Sequence, residues 1–259
     1  MRIRLIHVVL IAGAVVILTL ASVLYSDFLG RNDRPVDLGI TFSSRYARAL
    51  GEDPFVMYEA LINDLGVVRV RLPVYWSDVE SDNGDESWEE IDALVKRSED
   101  GGVAITMVVG AKVPRWPECY IPDWAEGLST KARKKSQLAF VQKTIERYRN
   151  SSAVIRWQVE NEPFLDYGEC PKFDPTLLRQ EVELVRSLDR RPIQLTVSGE
   201  LDAWGSSAEL ADVLGISLYR LVWNDLFGYF IYPLSPEFYR LRIASIRSSV
   251  DKVVISELQ

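Results

Sequence analysis

Two stretches of the chain place carboxylates directly after apolar, strand-like runs. Residues 154–159 are followed by Glu160, Asn161 and Glu162, and residues 252–256 are followed by Glu257. A carboxylic acid and a carboxylate facing each other across a cleft suit cleavage of an acetal. One protonates the leaving oxygen; the other attacks the anomeric carbon or activates water there. The ends of neighbouring runs add Arg71, Tyr75 and Trp76, then Lys112, Arg115 and Trp116, then Glu200 and Asp202, and finally Tyr219 and Trp223. Aromatic faces cover the C–H faces of pyranose rings, so such a set suits a carbohydrate. A single loop Glu is ordinarily a solvated surface group, but two at separate strand ends form a stronger pattern.

Composition narrows the chemistry further. The 259 residues include 30 Lys and Arg against 37 Asp and Glu, for a net charge of −7. An acidic chain without basic blocks is a poor ligand for nucleic acid. With one histidine, His7, and two cysteines, a His-based triad, a His-rich metal site and a four-ligand Cys/His zinc site are excluded. No metal or organic cofactor is expected, and no obligate protein partner is evident. A hydrophobic fraction of 47% is that of a folded protein. Lys131–Lys135 reads as the solvated start of a helix, and Asn150-Ser151-Ser152 matches a glycosylation acceptor pattern.

The elements that must position these groups alternate. Strands are expected over 37–42, 67–74, 103–109, 154–159, 193–198, 215–219 and 252–256. Helices fall between them: Asp53-Pro54, Asp174-Pro175 and Ser235-Pro236 are N-terminal signals, and Ser87-Trp88-Glu89-Glu90 reads as a capping box. A helix is also expected over 206–214. The strands read as continuous apolar runs, the mark of a parallel sheet covered by helices. A doubly wound nucleotide-binding sheet would carry a Gly-rich turn after its first strand; here that turn is SSRYARALGED. The expected fold class is therefore α/β, a (β/α)8 TIM barrel with about seven strands. Its active residues would lie at the C-terminal strand ends.

Residues 5–25 contain no Asp, Glu, Lys or Arg and would span roughly 30 Å as a helix. Arg2 and Arg4 before this run favour a cytoplasmic tip over residues 1–4. A cleaved signal peptide is the rival, since Thr19-Leu20-Ala21 is a tolerable cleavage site. Either way, the expectation is a linker over 26–35 and an extracytoplasmic barrel over 36–259, tethered to the membrane or secreted. Export would let Cys119 and Cys170, in loops after the third and fourth strands, form a disulfide.

Trp157-Gln158-Val159-Glu160-Asn161-Glu162-Pro163 resembles the fourth-strand Asn-Glu-Pro signature of clan A glycoside hydrolases, which are retaining (β/α)8 enzymes. Val253-Val254-Ile255-Ser256-Glu257 resembles the seventh-strand segment that ends in their nucleophile. Val70-Arg71-Leu72-Pro73-Val74-Tyr75-Trp76 is similar to the second strand of the family 5, cellulase-like members. The resemblance implies that Glu162 is the general acid/base and Glu257 the nucleophile, with carboxyl groups about 5–5.5 Å apart. It implies that Asn161 contacts the sugar 2-hydroxyl, that Arg71 holds Glu257 ionised and that Tyr219 hydrogen-bonds Glu257. Glu160 does not match the motif Glu. Trp76 and Trp116 are expected to line the cleft.

Ser217 stands where a family 5 histidine would, and an eighth strand is missing. The implied activity is retaining hydrolysis of a β-linked glycan; the alternative is a carbohydrate-binding barrel without turnover. The missing strand leads to the further expectation that the functional unit is longer than 259 residues.

Overall fold

Side-chain caps start the principal helices. Asp53 accepts the backbone N–H groups of Phe55 and Val56, and Asp174 those of Thr176 and Leu177; Pro54 and Pro175 occupy the first helical positions. The computed structural model describes residues 13–15, 17–18, 37–81, 85–224 and 228–258. Most of the expected membrane segment at 5–25 and the linker at 26–35 lie outside them. Residues 13–15 and 17–18 are helical, and no helix among the described residues is long and apolar enough to cross a membrane.

The described chain begins with β1 (Ile40–Thr41), α1 (Ser44–Ala49), α2 (Pro54–Asn63), β2 (Arg69–Pro73), α3 (Trp76–Val79), α4 (Glu89–Gly101) and β3 (Ala104–Val109). Next come α5 (Asp123–Glu126), α6 (Thr130–Tyr148), β4 (Val154–Val159), α7 (Pro175–Leu188), β5 (Ile193–Ser198), α8 (Trp204–Ala208) and β6 (Val213–Leu218). The chain closes with β7 (Leu221–Asn224), β8 (Gly228–Ile231), α9 (Pro236–Ile246) and β9 (Lys252–Leu258). Seven strands form one parallel sheet in the order β1-β2-β3-β4-β5-β6-β9, while β7 and β8 form an antiparallel hairpin. The sheet curls so far that Arg71 on β2 reaches Glu257 on β9, with Nη1 and Oε1 2.5 Å apart. The architecture is a nearly closed, TIM-barrel-like α/β fold.

Several local expectations change. Ser87 does not cap α4. Trp88 precedes the helix without a side-chain cap bond. Ser87 donates its backbone N–H to Val79 O, and Glu86 pairs with Glu80, so this stretch is committed to a bridge. Val213 and Leu214 end no helix; they open β6, in register with Gln194 and Leu195. Pairing with β5 overrides a local pattern that suits either element. The β7–β8 hairpin was not expected.

The strands are also not apolar on both faces. Val70, Leu72, Ile105, Met107, Trp157, Val159, Ile193 and Leu195 pack into the main core. Arg71, Gln158, Gln194, Thr196 and Ser256, at alternate positions, hydrogen-bond one another across strands. The inner face of the curled sheet is polar, and the apolar core lies between sheet and helices.

Trp76 belongs to that core. As the first residue of α3 it is fully buried, stacks on Phe140 and meets Trp124 edge-on. Its Nε1 donates to Glu80 Oε2 at 2.7 Å. It does not line the cleft as expected, because α3 turns the side chain away from the strand end. Phe140 lies against both Trp76 and Trp88. Replacing it with alanine should cost about 3–5 kcal/mol, measured as a lower denaturant midpoint with unchanged m-value.

Candidate active site

The site is assembled around the guanidinium of Arg71, which β2 carries on the polar inner face. Its Nε donates to Gln158 Oε1 at 2.7 Å, Nη1 to Glu257 Oε1 at 2.5 Å and Nη2 to Asn161 Oδ1 at 2.5 Å. One planar fork thus fixes the ends of β4 and β9 relative to β2.

Glu257 reaches this fork through a register shift. Ile216 pairs with Ile255, but the next residue of β6, Ser217, pairs with Glu257, so β9 carries an extra residue. Ser256 accepts a hydrogen bond from Gln194 Nε2 at 3.0 Å, and the following residue, Glu257, also faces inward. A bulge re-aims a side chain that strict alternation would turn outward. Tyr219 O–H donates to Glu257 Oε2. Burial pushes the Glu257 pKa up, but the Arg71 charge and the bonds from Tyr219 and Arg71 outweigh it and hold the carboxyl below its ordinary value.

Glu162 has the opposite environment. Its backbone is left-handed, with φ 42°, and its N–H donates to Thr196 Oγ1 at 2.8 Å. Burial, then the Glu257 charge, raise its pKa to about 7; Ser217 offsets only part of the rise. Its Oε1 is buried without a hydrogen-bond partner. The two carboxyl groups are therefore driven in opposite directions, one toward the acid and one toward the anion.

Glu160 points the other way and ties two strand ends together. It accepts the backbone N–H of Ala111 at 2.9 Å and of Lys112 at 2.6 Å, and Gln137 Nε2 at 2.9 Å. Gly110, with φ 124°, makes room: a Cβ there would lie 2.4 Å from Glu160 Oε1. Gln137 also donates to Glu181 Oε1 at 2.6 Å. Burial and the Glu160 charge raise the Glu181 pKa well above the ordinary carboxyl value. Glu181 is thus the protonated member of the pair. A cavity of about 500 Å³ lies on this side, lined by Glu160, Glu181, Phe164 and Phe173 among others, away from Arg71 and Glu257.

Sequence reasoning missed Glu118. It sits beside Cys119, whose disulfide with Cys170 forms as expected, with a Cα separation of 5.2 Å. Glu118 has φ 75° and accepts Asn161 Nδ2 at 2.8 Å. Burial raises its pKa to about 7. The only sequence signal was its adjacency to a cross-linked loop after β3.

Arg115, Glu118, Glu160 and Glu162 are the non-glycine residues with positive φ among the described residues, and all lie in the loops after β3 and β4. Backbone outliers concentrated at one end of the sheet mark a candidate functional region.

The structure brings Arg71, Asn161, Glu162, Tyr219 and Glu257 together. Trp116 is exposed on a loop, edge-on to Tyr167. Trp223 is exposed on the hairpin against Tyr229. Lys112 Nζ donates to the carbonyls of Glu162 and Leu165. Asp202 accepts the Ser198 N–H, and Glu200 accepts the Tyr239 hydroxyl.

No protein-family model matches the chain, and no curated protein does either. Solved structures of clan A glycoside hydrolases are similar in fold. The chain aligns with an endo-β-1,4-xylanase of glycoside hydrolase family 10 from Gloeophyllum trabeum at TM-score 0.64 and 14% identity, covering 86% of this chain and 71% of that one. With the GH5_18 protein of Streptomyces cattleya, solved in complex with GlcNAc, the values are 0.56, 14%, 73% and 52%. With a β-galactosidase of the psychrophilic Marinomonas ef1 they are 0.50, 13%, 71% and 41%. The chain thus spans about half or less of the length of the last two. What it shares with these proteins is the TIM-barrel-like fold.

The buried pair yields a test of its assignment. A carboxyl whose pKa is raised on folding contributes stability at low pH that is lost as pH rises toward the folded value. In Glu181→Gln the amide still donates to Glu160 and accepts from Gln137, but cannot ionise. Its thermal midpoint should match the native protein near pH 5 and exceed it at pH 8, with the gap widening as pH rises. Equal midpoints at both pH values would remove the protonated assignment.

Proposed function

We propose that the chain carries the site of a retaining β-glycosidase acting on a poly- or oligosaccharide. One observation carries this reading: two carboxyls at the ends of β4 and β9 are shifted in opposite directions, Glu162 upward by burial and the Glu257 charge, Glu257 downward by Arg71 and Tyr219 against its burial. The fold similarity adds support.

In the first step the Glu257 carboxylate attacks the anomeric carbon as the bond to the leaving oxygen breaks. The Glu162 proton passes to that oxygen, leaving a glycosyl ester on Glu257. Glu162, now a carboxylate, takes a proton from water. The water oxygen attacks the same carbon, and the bond to Glu257 breaks, so two inversions give net retention. Arg71 and Tyr219 stabilise the departing Glu257 carboxylate, and Asn161 lies beside the reacting ring. Trp116, exposed on the loop after β3, is the aromatic residue we assign to the glycan-binding cleft. Attachment to the membrane through residues 5–25, with the barrel outside the cytoplasm, is part of the same proposal and rests on the uncharged run.

The full-length protein should release the β-anomer from an aryl β-glycoside, followed by proton NMR. Activity should fall above about pH 7, as Glu162 loses its proton. On the acid side it should persist below the ordinary carboxylate range, until Glu257 is protonated. Glu257→Gln should abolish turnover. Glu162→Gln should lose about 10²–10⁴-fold in kcat/KM on substrates with poor leaving groups and much less in kcat/KM on nitrophenyl glycosides, which need no protonation, while kcat falls on both because water has lost its base. Release of the α-anomer, or full activity in Glu257→Gln, would remove the assignment. Glycan binding without turnover in the native protein would favour a carbohydrate-binding barrel.

A further inference from the structure

The cavity of about 500 Å³ lies between α6, α7 and residues 163–173, and neither Arg71, Glu162 nor Glu257 lines it. Its inner polar groups satisfy one another. Glu160 accepts the N–H groups of Ala111 and Lys112 and the Gln137 amide, and Gln137 also donates to Glu181. Lys112 Nζ donates to the carbonyls of Glu162 and Leu165. None of these side chains leaves a buried atom without a partner. The walls beside them are apolar: Leu177, Leu178, and the rings of Phe164 and Phe173, whose centroids are 4.7 Å apart. A ligand reaching this depth is asked for apolar surface and for no further hydrogen bond.

The outer part of the cavity is different. Lys134 is paired with Asp174. Arg133, half-buried, and Lys172, exposed, also line the cavity, and neither side chain meets a carboxylate among the described residues. Asp166 offsets one of these two charges. Deeper in, the Lys112 ammonium offsets the Glu160 carboxylate, and Glu181 is protonated. One positive charge is left over, at the open end of an apolar chamber.

We propose that this cavity binds a monocarboxylic acid with an apolar body, its carboxylate held by Arg133 and Lys172 and its body against Phe164 and Phe173. A guanidinium fork matches a carboxylate in shape, and charge-assisted bonds are about twice as strong as neutral ones. A phosphate monoester would bring about two charges where one is balanced. A neutral apolar molecule would leave both cations without a partner. Phe164 and Leu165 follow closely on Glu162, and Lys112 ties the carbonyls of Glu162 and Leu165 together. An occupant therefore braces the segment that leads away from Glu162, whether or not the site at Arg71 hydrolyses glycosides.

The test uses full-length protein at pH 7 and low salt, with hydrocinnamate as the probe. Hydrocinnamyl alcohol lacks its charge, and acetate lacks its body. Titration calorimetry should give hydrocinnamate a Kd of about 1 mM or tighter, and the other two at least about tenfold weaker binding. Arg133→Gln and Phe173→Ala, both at partly exposed positions, should each weaken hydrocinnamate by about fivefold or more. On the native protein, bound hydrocinnamate should slow amide exchange within residues 163–173. Absence of binding at about 10 mM probe overturns the proposal. So does an alcohol or acetate that binds as tightly as the acid, an affinity unchanged in either variant, or protection that falls at the ends of β2 and β9 instead.

Discussion

A guanidinium taken out of water must find partners for its donors, and Arg71 finds them on three sides. Gln158, Asn161 and Glu257 each accept from a different nitrogen of the fork. Removing one partner would leave a buried charge or donor short of its bond, which costs far more than an exposed ion pair contributes. The positions of β2, β4 and β9 are coupled through this one group. Its charge holds Glu257 ionised, and the Glu257 charge in turn helps keep Glu162 protonated. The chemistry proposed for the pair therefore begins with the burial of Arg71.

Two interiors divide the work of the fold. Between sheet and helices, the large apolar side chains of the main cluster supply most of the burial, with Phe140, Trp76 and Trp88 at its aromatic centre. Inside the curled sheet, Gln158, Gln194, Thr196 and Ser256 form a hydrogen-bonded lattice. Such a lattice adds little net stability but penalises any shift that breaks a bond. The strained backbones of Glu160 and Glu162 are held from behind. Glu160 bonds the N–H groups of Ala111 and Lys112, and Lys112 returns its ammonium to the carbonyls of Glu162 and Leu165.

The disulfide extends this restraint into the loops. Cys119 and Cys170 join the segments after β3 and β4, and Glu118 lies at the base of the cross-link. Its carboxyl accepts the amide of Asn161, so a residue on an irregular loop is tied to the end of β4 as well as to the cross-link. The same loop carries Trp116 at the surface, beside Tyr167.

Much of the architecture was legible in the sequence because it depends on local chemistry. Asp53-Pro54 and Asp174-Pro175 start helices wherever they precede a helical stretch, and runs such as 154–159 and 193–198 make strands through β-branched and apolar content. Strand-end positions singled out Glu162, Glu257, Asn161, Arg71 and Tyr219, and the structure brings these side chains together. Contacts between segments far apart in the chain were not legible. The inward turn of Glu257 depends on a bulge set by the pairing of β9 with β6, the burial of Trp76 on the turn of α3 into the helices, and the place of Glu118 on a cross-linked loop. Each is decided by which distant backbone lies alongside, and a side chain's own neighbours in sequence carry no record of that.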